Sequence, residues 1–220
     1  MRFLFSIVLC TIFSVCNSLA QEIGKIQIPF DSINKCYYYS TIETFEAPIS
    51  DSLLYGNIKQ FISSKFGNTF NIEVPNKEFK TSGHINFTYN VPIGLGKKSK
   101  SITVPSIVTF DIDIQFKSNR YKTYINNLMV TTNSNGFGNE VPLHVMLKSN
   151  IEIIDASTDM GTLGALTTMG VSSLARRKAL EMAQQNNAKI AQSIDNEIKK
   201  LLSEIKSNAI ITTNIQNEDW

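Results

Sequence analysis

Two histidines and one pair of aspartates are the candidates for acid–base chemistry that stand out by type and spacing in this 220-residue chain. His84 and His144 each alternate with apolar neighbours in strand-like sequence. A metal centre needs three or four converging ligands, and neither a His-Glu-x-x-His motif nor a cysteine pair of metal-binding spacing accompanies them. Both are therefore expected to be solvent-facing strand residues. Asp111 and Asp113 are two apart in a strict alternation, which puts their carboxylates on one sheet face about 7 Å apart. Paired carboxylates at such a distance can hydrolyse glycosides, but polar residues alternating on a wet sheet face need no such explanation.

Gly94-Leu95-Gly96-Lys97-Lys98-Ser99 has the glycines and lysine of a phosphate loop without its spacing. A strand and not a helix follows, so no helix N-terminus would cradle the phosphate. What is left is a basic loop, Lys97, Lys98 and Lys100, able at most to touch an anionic lipid or polysaccharide. There is no Gly-x-Ser-x-Gly elbow, and Cys36 has no identifiable histidine partner. No catalytic, cofactor-binding or metal-ligating residue is assigned, and no cofactor is expected.

The elements that would carry these residues are legible from periodicity. Lys35 to Phe45 is strand-like, with β-branched and aromatic content. Ser50 or Asp51 can then cap a helix in which Leu54, Ile58, Phe61, Ile62 and Phe66 recur at three- and four-residue spacing before Gly67 stops it. Thr69 to Val74 reads as a short strand, followed by Ile85, Phe87 and Tyr89 alternating with His84, Asn86 and Thr88. From Val108 to Lys117 every second residue is apolar, the mark of a sheet with one covered face. Ser118-Asn119 turns this strand into another, Arg120 to Val130, as a hairpin. Thr132 to Pro142 reads as loop and Leu143 to Ile154 as one more strand. An uncharged, glycine-bearing stretch follows, with Gly161, Gly164 and Gly170. Ala175 to Lys206 has neither Gly nor Pro and predicts a long helix striped by Ile190, Ile194, Ile198, Leu201 and Ile205. Asp195 and Lys199 are spaced to pair along it. The stripe must be buried against the domain's own sheet, a second copy or another protein, the first being the default.

The N-terminus bounds the setting. Arg2, the apolar run Phe3 to Val15 and the small-residue exit Ser18-Leu19-Ala20 form a secretory signal peptide, with cleavage expected before Gln21. The run is too short to span a bilayer, which takes about 20 residues. Val15 is a poor residue before Cys16 for lipid attachment. Cleavage would remove Cys10 and Cys16, leaving Cys36 without an internal disulfide partner and the core to carry stability. It would also leave 20 of the 21 basic residues against 19 acidic ones. That balance gives no reason to expect a nucleic-acid partner.

Taken in order, Tyr37-Tyr38-Tyr39, the helix from Ser52-Leu53-Leu54-Tyr55 to Phe61-Ile62, Thr81-Ser82-Gly83-His84-Ile85, and the hairpin from Phe110-to-Phe116 into Arg120-Tyr121-Lys122-Thr123-Tyr124-Ile125 carry a resemblance. Over residues 33–131 the chain resembles a family of exported bacterial domains of unknown function with a TATA-binding-protein-like (TBP-like) fold. Phe61 stands where that family commonly has Trp. The resemblance implies a curved antiparallel sheet with a helix opposite its concave face, and it does not imply DNA binding.

The expectation is thus an α+β protein: a signal peptide over 1–20, a TBP-like domain with one packed helix over 21–155, and a glycine-bearing segment with a C-terminal helical arm over 156–220. It is expected in the periplasm or outside the cell, without a transmembrane span in the mature chain. The function read from this is non-enzymatic, a binding or structural module of the envelope that meets another envelope protein or itself through the C-terminal helix. The rival is a hydrolase acting on an envelope polymer.

Overall fold

The computed structural model describes residues 28–93, 100–132, 139–149 and 173–210. Residues 1–20, expected to be a signal peptide, the loop at 94–99 and the glycines at 161, 164 and 170 lie outside the described residues. The architecture is α+β. A hairpin of β1 (Phe30–Asp31) and β2 (Cys36–Tyr37) precedes β3 (Tyr39–Thr44), α1 (Asp51–Phe66), β4 (Ile72–Val74), β5 (Glu78–Ile93), β6 (Lys100–Lys117), β7 (Arg120–Thr132) and β8 (Glu140–Pro142). Residues 143–149 form a short helix, α2, and α3 (Ser173–Ala209) is the long one. The six-stranded sheet has the order β3-β7-β6-β5-β4, with β8 also on β7.

The chain divides into two compact units, the larger made of residues 28–87, 105–143 and 194–220. Its sheet has one covered face. Val108, Phe110, Ile112, Ile114 and Phe116 of β6 are all buried, as are Tyr121 and Ile125 of β7 and Phe79 and Phe87 of β5. Helix α1 lies over this face. Ser50 caps it, its Oγ accepting from the Leu53 N–H at 3.2 Å, and Gly67 ends it at φ 95°. Leu54, Tyr55, Ile58 and Ile62 are the residues it buries. Tyr55 was not part of the apolar stripe read from sequence. Its ring packs edge-on to Phe79 and Phe116 at 5.9 and 5.3 Å, and its hydroxyl reaches the Glu73 carboxylate, so the polar tip stays satisfied while the ring is buried. Burial, then Glu73, pushes the Tyr55 pKa up. Phe61 is half-buried with the Lys65 ammonium 5.6 Å from its ring centre.

Residues 194–209 of α3 cover the same face. Ile194, Ile198, Leu201 and Ile205 are buried, so the default expectation for this part of the stripe holds. The Asn57 side-chain amide donates to the Ala209 carbonyl at 3.2 Å, Lys65 pairs with Glu204, and Lys206 pairs with Glu43 at 2.7 Å. Asp195 is buried on the helix underside, where it accepts from the Tyr39 hydroxyl at 3.2 Å and from Lys199 at 2.7 Å. Burial, and after it the Asp195 charge, pushes the Tyr39 pKa up. Each fully buried aliphatic side chain contributes about 1.5–3 kcal/mol.

The Ser118-Asn119 hairpin turn does more than reverse the chain. Asn119 has φ 63°, a left-handed conformation that Asn tolerates. Its side chain accepts from Ile49 N at 2.7 Å and donates to the Phe45 carbonyl at 2.9 Å, while its carbonyl accepts from Phe45 N at 3.0 Å. The turn thereby fixes the route from β3 to the α1 cap. Asn119→Ala should lower stability by about 1–3 kcal/mol in denaturant melts, and Asn119→Gly, which keeps the dihedral but not the two side-chain bonds, should also destabilise. Full stability in the Gly variant would show that the side-chain bonds contribute nothing.

Two expectations are corrected. Residues 143–149 are helical and not strand; Leu143 and Leu147, four apart as a helix face requires, are both buried. Glu140–Pro142, read as loop, is β8, with Val141 opposite Val130. In the smaller unit, residues 88–104 and 144–193 within the described set, Thr103 Oγ1 bonds Asn90 Oδ1 at 2.8 Å. There the buried Asn187 donates to the Leu147 carbonyl at 2.6 Å, and Ala183, Ile190 and Ala191 are buried.

Candidate functional site

The other face of the sheet is where the polar residues stand. The hairpin register sets them in rows running across β3, β7 and β6: Ser40, Tyr124 and Asp113; Ile42, Lys122 and Gln115; Thr44, Arg120 and Lys117. Ile42 is 64% exposed, an apolar side chain left in water in the middle of these rows. Tyr124 lies beside Tyr38, with ring centres 5.8 Å apart. Burial, followed by the charges of Cys36, Asp31 and Tyr38, pushes the Tyr124 pKa up.

A shallow cleft of about 190 Å³ opens in the first two rows, lined by Asp113, Gln115, Lys122 and Tyr124. One Asp113 oxygen, Oδ2, accepts from Lys80 of β5 at 2.7 Å. That bond, with the Asp113 charge, pushes the Lys80 pKa up. The other oxygen, Oδ1, is buried and has no hydrogen-bond partner among the described residues. Beside the cleft, Lys117 and Arg120 are direct cross-strand partners, and both are exposed. Like charges set opposite each other destabilise a strand pair.

The residues singled out in the sequence are not brought together here. Asp111 does share a face with Asp113, as its spacing required, but it sits at a β-bulge where Asn127 adopts φ 53°. Both its oxygens are used there, accepting from Ser82 Oγ at 2.9 Å and Asn127 Nδ2 at 3.1 Å. His84 is exposed on β5, as expected, and lines a different cleft of about 300 Å³ with Lys65, Glu197, Lys200 and Glu204. Its ring lies 6.3 Å from that of Phe66. His144 is not a strand residue; it is half-buried on α2. Cys36 is a free thiol on β2 and half-buried, less enclosed than a core residue. The loop lysines at 97 and 98 fall outside the described residues.

No functional role was read from the sequence for Tyr124, Lys122, Arg120 and Lys117, although the signal was present. Once Ser118-Asn119 is taken as a two-residue turn, counting outward pairs 117 with 120, 115 with 122 and 113 with 124. Among the described residues no three of His, Cys, Asp or Glu could hold a metal ion. Among the same residues no helix is long and apolar enough to cross a membrane.

No family model matches the chain. No curated protein matches it either. Two solved structures are similar to it. One is a TBP-like protein from Parabacteroides distasonis, 12% identical, with a TM-score of 0.47 over 83% of this chain and 96% of that one. The other is a DUF4468 family protein from Bacteroides ovatus, 7% identical, with a TM-score of 0.45 over 85% of this chain and 92% of that one. The structural neighbours of this α+β chain are thus a TBP-like protein and a member of a family of unknown function.

Proposed function

We propose that the protein is an exported component of the bacterial envelope that binds another envelope component and breaks no covalent bond in it. The observation that carries this reading is the dispersal of the acid–base candidates. His84 stands in one cleft, Asp113 in another, and Asp111 spends both oxygens on Ser82 and Asn127. General acid–base chemistry needs such groups within reach of one reacting atom. The open sheet face, with Tyr38, Tyr124 and Ile42 among charged side chains, has the mixed aromatic and polar character of a recognition surface. Export is supported by residues 1–20. The stripe of α3 over 194–209 is buried within its own unit, so this reading places docking on the open sheet face and not on that helix.

A co-sedimentation assay with washed envelope material tests it. Residues 21–220 are expected to pellet with the envelope and to release no soluble fragments. Release of fragments that stops on His84→Ala or Glu197→Gln would instead establish the hydrolase, working in the cleft those two residues line.

A further inference from the structure

We propose that the free edge of the sheet, strand β3, pairs antiparallel with β3 of a second copy of this chain about a two-fold axis at Ile42. The inference goes beyond the reading above and does not depend on it. β3 ends the sheet order, so one side of it has no neighbouring strand. An exposed edge is a template for pairing unless it is short, charged or interrupted by proline. The opposite edge, β4, is three residues long and carries Glu73, which is held by Lys59. β3 has six residues, Tyr39-Ser40-Thr41-Ile42-Glu43-Thr44, with no proline and one charge. That charge guards nothing, because Glu43 lies on the covered side and pairs with Lys206. Where a guarding lysine would stand on the open side there is Ile42, 64% exposed.

The backbone sets which residues meet the second copy. The register that pairs Glu43 with Tyr121 continues to Phe45, whose N–H donates to the Asn119 carbonyl at 3.0 Å. Bonding alternates along an antiparallel pair, so Tyr39, Thr41 and Glu43 direct their backbone groups to β7. Ser40, Ile42 and Thr44 direct theirs off the edge and their side chains to the open face. Ile42 is the middle of this outward set. A two-fold axis there sets Ile42 against Ile42 and Ser40 against Thr44, and all three outward residues find backbone partners. The exposed isoleucine is then covered by its own copy, and Glu43 falls opposite Thr41. An axis at Glu43 would instead oppose two carboxylates. The charges of the rows agree: Ser40, Tyr124 and Asp113 are continued by Thr44, Arg120 and Lys117 of the second copy, acidic row to basic row. The two Lys122 residues stand three strand spacings apart, about 14 Å, beyond the roughly 8–10 Å over which exposed charges act. The edge is thus self-complementary, as a two-fold interface requires, and that selects a second copy over an unrelated strand. Pairing would join the two open faces into one surface.

One strand pair is small beside the roughly 1,200–2,000 Å² of a standard interface, so the dimer should be weak, with a dissociation constant on the order of 10–100 μM. The test is sedimentation velocity of residues 21–220 from about 1 to 500 μM. A shift from monomer to dimer across that range is expected. Ile42→Lys, a change at an exposed position whose fold is checked by an unchanged thermal melt, should stay monomeric throughout. Disulfide trapping under mild air oxidation, in a Cys36→Ser background, reads the register. Ile42→Cys should cross-link to itself, because the Cα atoms of a hydrogen-bonded pair lie about 5.5 Å apart, within the range of a disulfide. Ser40→Cys alone and Thr44→Cys alone should not, since each is about 14 Å from its own copy, whereas an equal mixture of the two should. A wild-type chain that is monomeric at every concentration, a dimer that survives Ile42→Lys, or Ser40→Cys cross-linking to itself would overturn the proposal.

Discussion

A chain ending at Asp155 will not give a cooperatively folded sheet. The covered face is closed by α1 and by residues 194–209 of α3, and removing the latter exposes what Ile194, Ile198, Leu201 and Ile205 bury. At about 1.5–3 kcal/mol for each side chain, the loss is of the same order as the whole stability of a typical domain, about 5–15 kcal/mol. The truncation would also strip Tyr39 of Asp195, Glu43 of Lys206 and Lys65 of Glu204. Thermal unfolding followed by circular dichroism should show a sharp transition for residues 21–220 and none for the truncated chain. A truncated chain that melts sharply within a few degrees of the full one would mean that this part of α3 is an appendage.

The second large effect lies where β5 meets β6. A side chain at Gly83 would bring its Cβ to 2.8 Å from Phe110, closer than real Cβ atoms come without displacement, and to a tight 3.2 Å from Phe66. The two rings pack edge to face, 6.0 Å between centres, in the space that the glycine leaves. Phe110→Ala should cost about 3–5 kcal/mol by opening a cavity, and Gly83→Val about 1–3 kcal/mol by overfilling the same place. The two changes are opposite in volume and adjacent, so they should not add. In the Phe110→Ala background, Gly83→Val is expected to cost little or to restore stability, with a coupling of about 0.5–3 kcal/mol in a double-mutant cycle. Simple additivity in urea melts would show that the valine is accommodated elsewhere.

How much of this was legible in the sequence varies from element to element for physical reasons. Helix α1 was readable from end to end, since Ser50, the apolar spacing and Gly67 each act locally and agree. The alternation from Val108 to Lys117 in β6 was equally plain, because there one face is buried and the other wet. Tyr55 escaped because a phenol can be buried by its ring or exposed by its hydroxyl, and only the positions of Phe79, Phe116 and Glu73 decide which. The segment 143–149 has a short apolar content that suits strand or helix, and tertiary burial of Leu143 and Leu147 chose the helix. Asp111 and Asp113 were placed on one face correctly, but spacing along a strand says nothing of neighbours across it. There Asp111 meets Asn127 at a bulge, and Asp113 meets Lys80 and Tyr124.

The central claim, that the open sheet face is the surface through which the protein binds its envelope component, is tested most directly by lysine footprinting. Residues 21–220 would be acetylated in the presence and absence of washed envelope material and the modified lysines quantified by mass spectrometry. The account predicts that Lys117 and Lys122 lose reactivity on binding, while Lys65 and Lys200, at the other cleft, keep theirs. Protection of Lys65 and Lys200 with Lys117 and Lys122 unchanged would contradict it and move the functional surface to the cleft that holds His84.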